Sequence, residues 1–210
     1  MDADGTNVQR LTNNPANEYC PSWSPDGTEI TFHSNRDGNF EIYKKNLITG
    51  TEARLTNNPG MDGRPSWSPD GTKIAFESNR DGDWEIYKID KSGSNQTNLT
   101  NSPFSDDKSP TWSPDGSKIV FHSAGMVSVM NADGSGTLMK RPSHFENCAP
   151  SWSPDGTKIA FDSDQGGGGI IDIYIINADG PGLERLTNNP QTINPSYNVH
   201  PAWSPDLYPP

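Results

Sequence analysis

The sequence is short of the usual material of a globular core. Hydrophobic residues are 30% of its 210 residues and the formal net charge is −11. That combination gives a disordered chain unless the apolar residues are concentrated at fixed places. There are two cysteines, Cys20 and Cys148, too few for a disulfide scaffold, and both are read as unpaired small residues. No apolar run approaches the roughly 20 residues that a membrane-spanning helix needs, so no transmembrane segment is expected. Bases are scarce, 16 Lys and Arg against 27 acids. A nucleic-acid partner needs a basic face and is therefore not expected, whereas cations, basic proteins and neutral sugars remain open. The opening MDADGTNVQR has neither the basic nor the apolar stretch of a secretory signal. The chain is then either cytosolic or separated here from a signal upstream.

What the chain does have is punctuation and repetition, with 20 Gly and 19 Pro. WSPDGTEITF starts at Trp23, WSPDGTKIAF at Trp67 and again at Trp152, and WSPDGSKIVF at Trp112; Trp203 opens a fifth copy, WSPDLYPP. The intervals between these tryptophans are 44, 45, 40 and 51 residues. A second marker keeps step: LTNNP at Leu11, Leu55 and Leu186, LTNSP at Leu99, and LMKRP at Leu138. A period near 44 falls in the range of about 40–45 residues for a four-stranded propeller blade.

One unit parses into four strands. Arg64 to Ser68 is the innermost, ended by Pro69, which has no N–H for a ladder. Asp70-Gly71 reads as a two-residue hairpin turn, since Gly tolerates positive φ. Lys73 to Ser78 is the second strand, Trp84 to Ile89 the third and Gln96 to Thr100 a short polar fourth. Such a sheet has two faces to cover, so it is stable only against neighbours. Every neighbour poses the same packing problem, and repetition follows. The expected fold is all-β: a β-propeller of four-stranded antiparallel blades, complete over about 17–56, 61–100, 106–141 and 146–187. A partial fifth blade is split between 1–12 and 196–206.

The phrases P-x-W-S-P-D-G-x-x-I-x-F, R-D-G-x-x-E-I-Y, N-A-D-G and L-T-N-N-P resemble the TolB-type, WD-repeat-like β-propeller over essentially the whole chain. The resemblance implies a bacterial protein of the periplasm or cell exterior. It points to a family whose members dock onto lipoprotein and membrane partners, or form the propeller half of prolyl-oligopeptidase-like enzymes. At the ends, an innermost and an outermost strand of one sheet lie about 14 Å apart and cannot pair directly. Three outcomes stay open: excision from a longer propeller, a compact five-unit ring, or open edges that recruit another copy.

Candidate site residues lie in the loops that enter the innermost strands, near one mouth of the channel: Glu18, Asp62, Asp107, Glu146, Asn147 and Asn198. Carboxylates converging there would suit a hard cation, and Ca²⁺ is the one cofactor considered. The rival reading is that each acid accepts hydrogen bonds within its own loop. Arg36 with Glu41, and Arg80 with Glu85, are expected to pair across the turn between strands two and three. The residues after each second-strand Phe, namely His33, Glu77, His122 and Asp162, are read as water-facing. Trp23, Trp67, Trp112, Trp152 and Trp203 are structural. No G-x-S-x-G elbow is present, and no catalytic residue is assigned. The functional expectation is a non-enzymatic binding or scaffold module that contacts a protein partner or its own copies at the cell envelope. The alternatives are a fragment of a larger hydrolase or lyase and a carbohydrate-binding propeller.

Overall fold

A computed structural model describes residues 6–136, 139–142, 149–165, 171–188 and 201–203. Among these residues, sixteen strands form four antiparallel sheets, each meandering from its first strand to its fourth. The first is β1 (Glu18–Trp23), β2 (Glu29–Ser34), β3 (Glu41–Asn46) and β4 (Glu52–Arg54); the second is β5 (Asp62–Trp67), β6 (Lys73–Ser78), β7 (Glu85–Asp90) and β8 (Thr97–Asn98). The third holds β9 (Asp107–Trp112), β10 (Lys118–Ser123), β11 (Met126–Asn131) and β12 (Met139–Pro142). The fourth holds β13 (Ser151–Trp152), β14 (Lys158–Ser163), β15 (Asp172–Asn177) and β16 (Glu184–Arg185). These are the blades of a β-propeller. No helix among the described residues is long and apolar enough to cross a membrane.

The WSPDG corner is wider than a two-residue hairpin. The Gly71 N–H bonds to the Ser68 carbonyl at 2.9 Å, and the Ser68 N–H reaches the Lys73 carbonyl. Asp70 closes the loop, accepting from the Ser68 hydroxyl at 2.6 Å and the Thr72 N–H at 3.0 Å. Gly71, at φ +67°, supplies the left-handed residue at the end of the turn. The same box recurs around Asp26, Asp115 and Asp155. The hydroxyls and amide N–H groups aimed at them hold all four carboxyls below the usual carboxylate range, those of Asp26 and Asp115 at about 2.

The innermost strands of the first three blades each carry a bulge. Register slips between Tyr19 and Ser22, and between Gly63 and Ser66, while in the third blade it slips between Val120 and His122 on β10. At the bulges Cys20, Arg64 and Ser109 have φ of 50°, 47° and 58°, and each precedes a proline. Proline offers no N–H and disfavours the right-handed region for its predecessor, so the ladder breaks there and the strand bends.

Between blades the seams repeat. Trp67, Ile74, Phe76 and Tyr87 of the second blade pack on Ile42 and Leu55 of the first. Trp112, Ile119, Phe121 and Met130 pack on Ala75, Ile86 and Leu99. Trp152, Ile159, Phe161 and Tyr174 pack on Val120, Val127 and Val129. The indole N–H of Trp112 donates to the Ser66 carbonyl and that of Trp152 to the Thr111 carbonyl, both at 3.2 Å. Trp203 likewise donates to the Ser151 carbonyl at 3.0 Å. In the first seam the Thr31 hydroxyl lies 3.4 Å from the corresponding Ser22 carbonyl. There the buried indole N–H of Trp67 has no partner among the described residues.

The two ends of this stack are different. Trp23 is 59% exposed, whereas Trp67, Trp112 and Trp152 are 7–8% exposed. At the other end Leu186 is 52% exposed, against 7% for Leu55 and Leu99. Of the partial fifth blade, residues 6–12 and 201–203 are described and neither forms a strand. An isolated first or fourth strand has no adjacent strand to complete its hydrogen bonds.

Candidate binding site at the loop mouth

Glu18, Asp62 and Asp107 each open an innermost strand, opposite Ser34, Ser78 and Ser123 on the second strand. They are tied down one by one rather than brought together. Glu18 is bound by the Arg36 guanidinium. Asp62, fully buried, accepts from Arg80 at 2.9 Å and from the Asn58 amide at 2.7 Å. Asp107 accepts from the Ser105 hydroxyl at 3.3 Å. Burial raises the carboxyls of both Asp62 and Asp107, while neighbouring hydroxyls, and Arg80 at Asp62, pull the other way. Among the described residues no three His, Cys, Asp or Glu side chains gather as a metal site. Glu146, Asn147 and Asn198 lie outside the described residues.

The expected Arg36–Glu41 and Arg80–Glu85 pairs are not formed. Arg36 instead bridges Glu18 and Glu52, and Arg80 joins Asp62 to Gln96. Each guanidinium lies over two rings of its own blade, Arg36 4.5 Å from the Tyr43 centroid and Arg80 4.4 Å from that of Tyr87. Sheet order explains the exchange, because β2 neighbours the innermost strand and the arginine after it reaches that strand's first acid. Glu41 serves the LTNNP motif instead. Its carboxylate accepts from the Thr56 hydroxyl at 2.6 Å, Arg54 at 2.9 Å and the Asn58 N–H at 3.0 Å. The Ile42 N–H in turn donates to Thr56 Oγ1 at 2.9 Å. Glu85 with Thr100 and Ser102, and Asp172 with Thr187 and Arg185, repeat this clamp.

The residues after the second-strand phenylalanines do not face water: Glu77, His122 and Asp162 are buried and His33 is half-buried. At His33 and Glu77 the bulges are the reason. Arg64 donates its N–H to His33 Nδ1 at 3.2 Å, and Ser109 donates its N–H to Glu77 Oε2 at 2.8 Å, each from the next blade along. Arg64 also approaches Glu77 at 3.7 Å and hydrogen-bonds the Ser109 hydroxyl. A polar belt therefore crosses the first three blades. Burial, reinforced by the Arg64 charge, lowers His33 to about 4. Burial with Lys108 and Arg64 does the same to His122. Glu77 is raised, by burial.

Beside exposed polar residues such as Asn17 and Asp106, three apolar side chains at this mouth stand exposed and do not repeat from blade to blade. Tyr19, Met61 and Phe104 are all exposed, and each lies within three residues of the first residue of an innermost strand, which places them at one end of the blades. Tyr19 leans on Phe40 and His33, with centroids 6.0 and 5.6 Å apart. Phe104 is 98% exposed and has φ of 91°, in a turn closed by Ser105 N–H to the Ser102 carbonyl at 3.1 Å. Asp83 fixes it by accepting the Phe104 N–H at 2.8 Å. A bulky residue held in the left-handed region stores strain that its surroundings must offset. Sequence reasoning passed over these three. The available signal was that they are bulky residues at or just before the start of an innermost strand, where the other blades carry Gly63 or Lys108, Asn17 or Asp106, and Pro15 or Pro59.

The fold is similar to TolB from Acinetobacter baumannii, with a TM-score of 0.74 and 27% identity over 89% of this chain and 47% of that one. Putative TolB from Agrobacterium tumefaciens follows with a TM-score of 0.50 and 28% identity over 83% of this chain and 50% of that one. The chain thus spans about half the length of these relatives. The β-propeller domain of the Trilobed protease from Pyrococcus furiosus, which has an open velcro topology, gives a TM-score of 0.57 at 18% identity, covering 82% and 57% of the two chains. Among curated proteins none matches the sequence. The family model described as the TolB beta propeller domain matches residues 1–143, more than half of the sequence, and the chain belongs to that family.

Proposed function

We propose that the chain is a non-enzymatic module that holds a protein partner at the bacterial cell envelope through the loop mouth. The observation that carries this reading is the contrast between a repeated interior and unrepeated apolar side chains at one end of the blades. Tyr19, Met61 and Phe104 stand exposed there, Tyr19 at the start of β1 and the other two on loops braced by the Asn58, Asp83 and Asp107 hydrogen bonds. Function concentrates on loops that a rigid scaffold positions. The acids that a hydrolytic site would need are instead committed to arginines, hydroxyls and backbone N–H groups of their own blades. Family membership supports a protein-interaction role, and the envelope location is inferred from the same kinship.

The test is affinity capture from detergent-solubilised bacterial envelopes, comparing the parent with Tyr19→Ser/Met61→Ser/Phe104→Ser. A defined protein retained by the parent and lost from the triple variant supports the reading, and equal retention by both sinks it. Turnover of peptide or ester substrates would favour the hydrolase alternative. Selective binding on a glycan array would favour the carbohydrate one.

A further inference from the structure

The first and last blades present opposite halves of the seam used three times inside the molecule. On the first blade, Ile30, Phe32 and Tyr43 form a cluster of their own, without the residues that a preceding blade contributes elsewhere. Trp23 stands out from that face. A third feature agrees. A Cβ added at Gly71, Gly116 or Gly156 would meet the proline of the preceding blade at 3.2–3.6 Å, whereas at Gly27 it would meet nothing within 4 Å. On the fourth blade, Ile175 is buried and Ile173 half-buried, while Leu186, which should lie under the next tryptophan, is exposed. The Ser151 carbonyl there already accepts the Trp203 indole.

We infer that the first-blade face of one copy docks on the fourth-blade face of a second copy, with Trp23 taking the Ser151 carbonyl in place of that copy's own Trp203. The occupant is specified by the molecule itself: each inner seam joins a Trp-Ile-Phe face to an aliphatic face closed by a leucine. The contact is heterologous, so copies close into a ring or continue as a filament. Two four-bladed copies joined at both ends make eight blades, the upper end of the usual propeller range. Residues 201–203 act as an internal competitor, which limits association at low concentration. Met61 and Phe104 of the mouth precede the second and third blades, neither of them an end blade, and the variants used here leave all three mouth residues intact, so this inference and the partner-binding reading fail separately.

The test is sedimentation velocity of the 210-residue chain from about 1 to 200 µM, with Trp23→Ser and Trp203→Ala alongside. Concentration-dependent association of the parent is expected. Trp23→Ser should weaken it about tenfold or more, as for a central tryptophan in an interface, and Trp203→Ala should strengthen it several-fold. Thermal melts of dilute monomer check that both variants fold. A parent monomeric throughout the range would overturn the inference, as would association indifferent to Trp23→Ser. Weakening by both variants would make Trp203 part of the contact and overturn the competition.

Discussion

Trp23 and Trp67 occupy the same place in the same ten-residue phrase, yet one is 59% exposed and the other 7%. Their local conformations are alike: each ends an innermost strand and pairs with the first isoleucine of the second. What differs is the presence of a neighbouring face. The cassette fixes the strand, the corner and the direction of the side chain, and only the adjacent blade turns that side chain into core. Local structure and burial are thus set by different parts of the chain.

The largest expected effect breaks this comparison directly. Trp112→Ala empties a closed seam and should cost about 3–5 kcal/mol, the usual range for a buried aromatic. Trp23→Ala removes a side chain that is mostly in water and should cost less than about 1 kcal/mol in dilute solution. Urea unfolding of both variants measures the gap, and equal losses would mean that the first-blade face is covered. A smaller contrast comes from the leucines of the second marker. Leu55→Ala should cost about 2–4 kcal/mol because Leu55 sits inside a seam cluster. Leu11→Ala, at the exposed equivalent, should cost about 1 kcal/mol or less.

The period, the blade and the second strand were readable in the sequence: Lys73 to Ser78 is β6 to the residue. Three things were not. Arg36 was paired with Glu41 because the two flank one turn, but its partner Glu18 lies 18 residues away on the neighbouring strand. His33, Glu77, His122 and Asp162 were placed in water by alternation along their strand. The bulge that lays a foreign N–H over His33 and Glu77 depends on left-handed residues before proline, which composition does not announce. The mouth was sought in its acids, which recur for structural reasons, while the exposed Tyr19, Met61 and Phe104 stand at places where the repeat lapses.

The polar belt gives the inner wall its own response to pH. His33 and His122 are lowered to about 4 in the folded chain, chiefly by burial, against about 6.5 in an unfolded one. Between those values the unfolded state takes up protons that the folded state refuses. Stability is therefore complete above about 6.5 and falls as pH drops toward 4, by about 1–3 kcal/mol for each histidine. Glu77, raised by burial, works in the opposite direction, since its protonation favours the folded state. Denaturation midpoints between pH 7 and 4.5 should fall less steeply in His33→Gln/His122→Gln than in the parent. An unchanged slope would place the acid sensitivity outside the belt.

One seam differs from the other two in its indole hydrogen bond. Thr31 takes the Ser22 carbonyl, whose equivalents elsewhere serve a tryptophan indole, and Ala75, Val120 and Ala160 stand at its place in the other blades. Thr31→Ala frees that carbonyl for Trp67, whose indole N–H is buried without a partner among the described residues. Recovering that bond, about 1 kcal/mol, should offset the lost hydroxyl and methyl contacts. The net change in urea stability is expected to be under about 1 kcal/mol. A loss of about 2 kcal/mol or more would show that the indole does not move onto Ser22.

The smallest effect is expected at the acids of the mouth. Calcium takes six to eight oxygen ligands, but Glu18 and Asp62 are neutralised by Arg36 and Arg80, and Asp107 is held by hydroxyl groups. Recruiting them to a shared ion would break those contacts, leaving Arg36 with Glu52 alone and the Arg80 guanidinium over its own aromatic rings with no carboxylate partner. Ligand linkage makes a null result informative: an ion at about 1,000 times its dissociation constant stabilises the folded state by about 4 kcal/mol. Millimolar CaCl₂ against EDTA should therefore move the melting temperature by no more than about 1 °C. A rise of several degrees, abolished by Asp62→Asn, would restore a calcium-bridged mouth, because the blade-by-blade ion pairs would then be the state that calcium replaces.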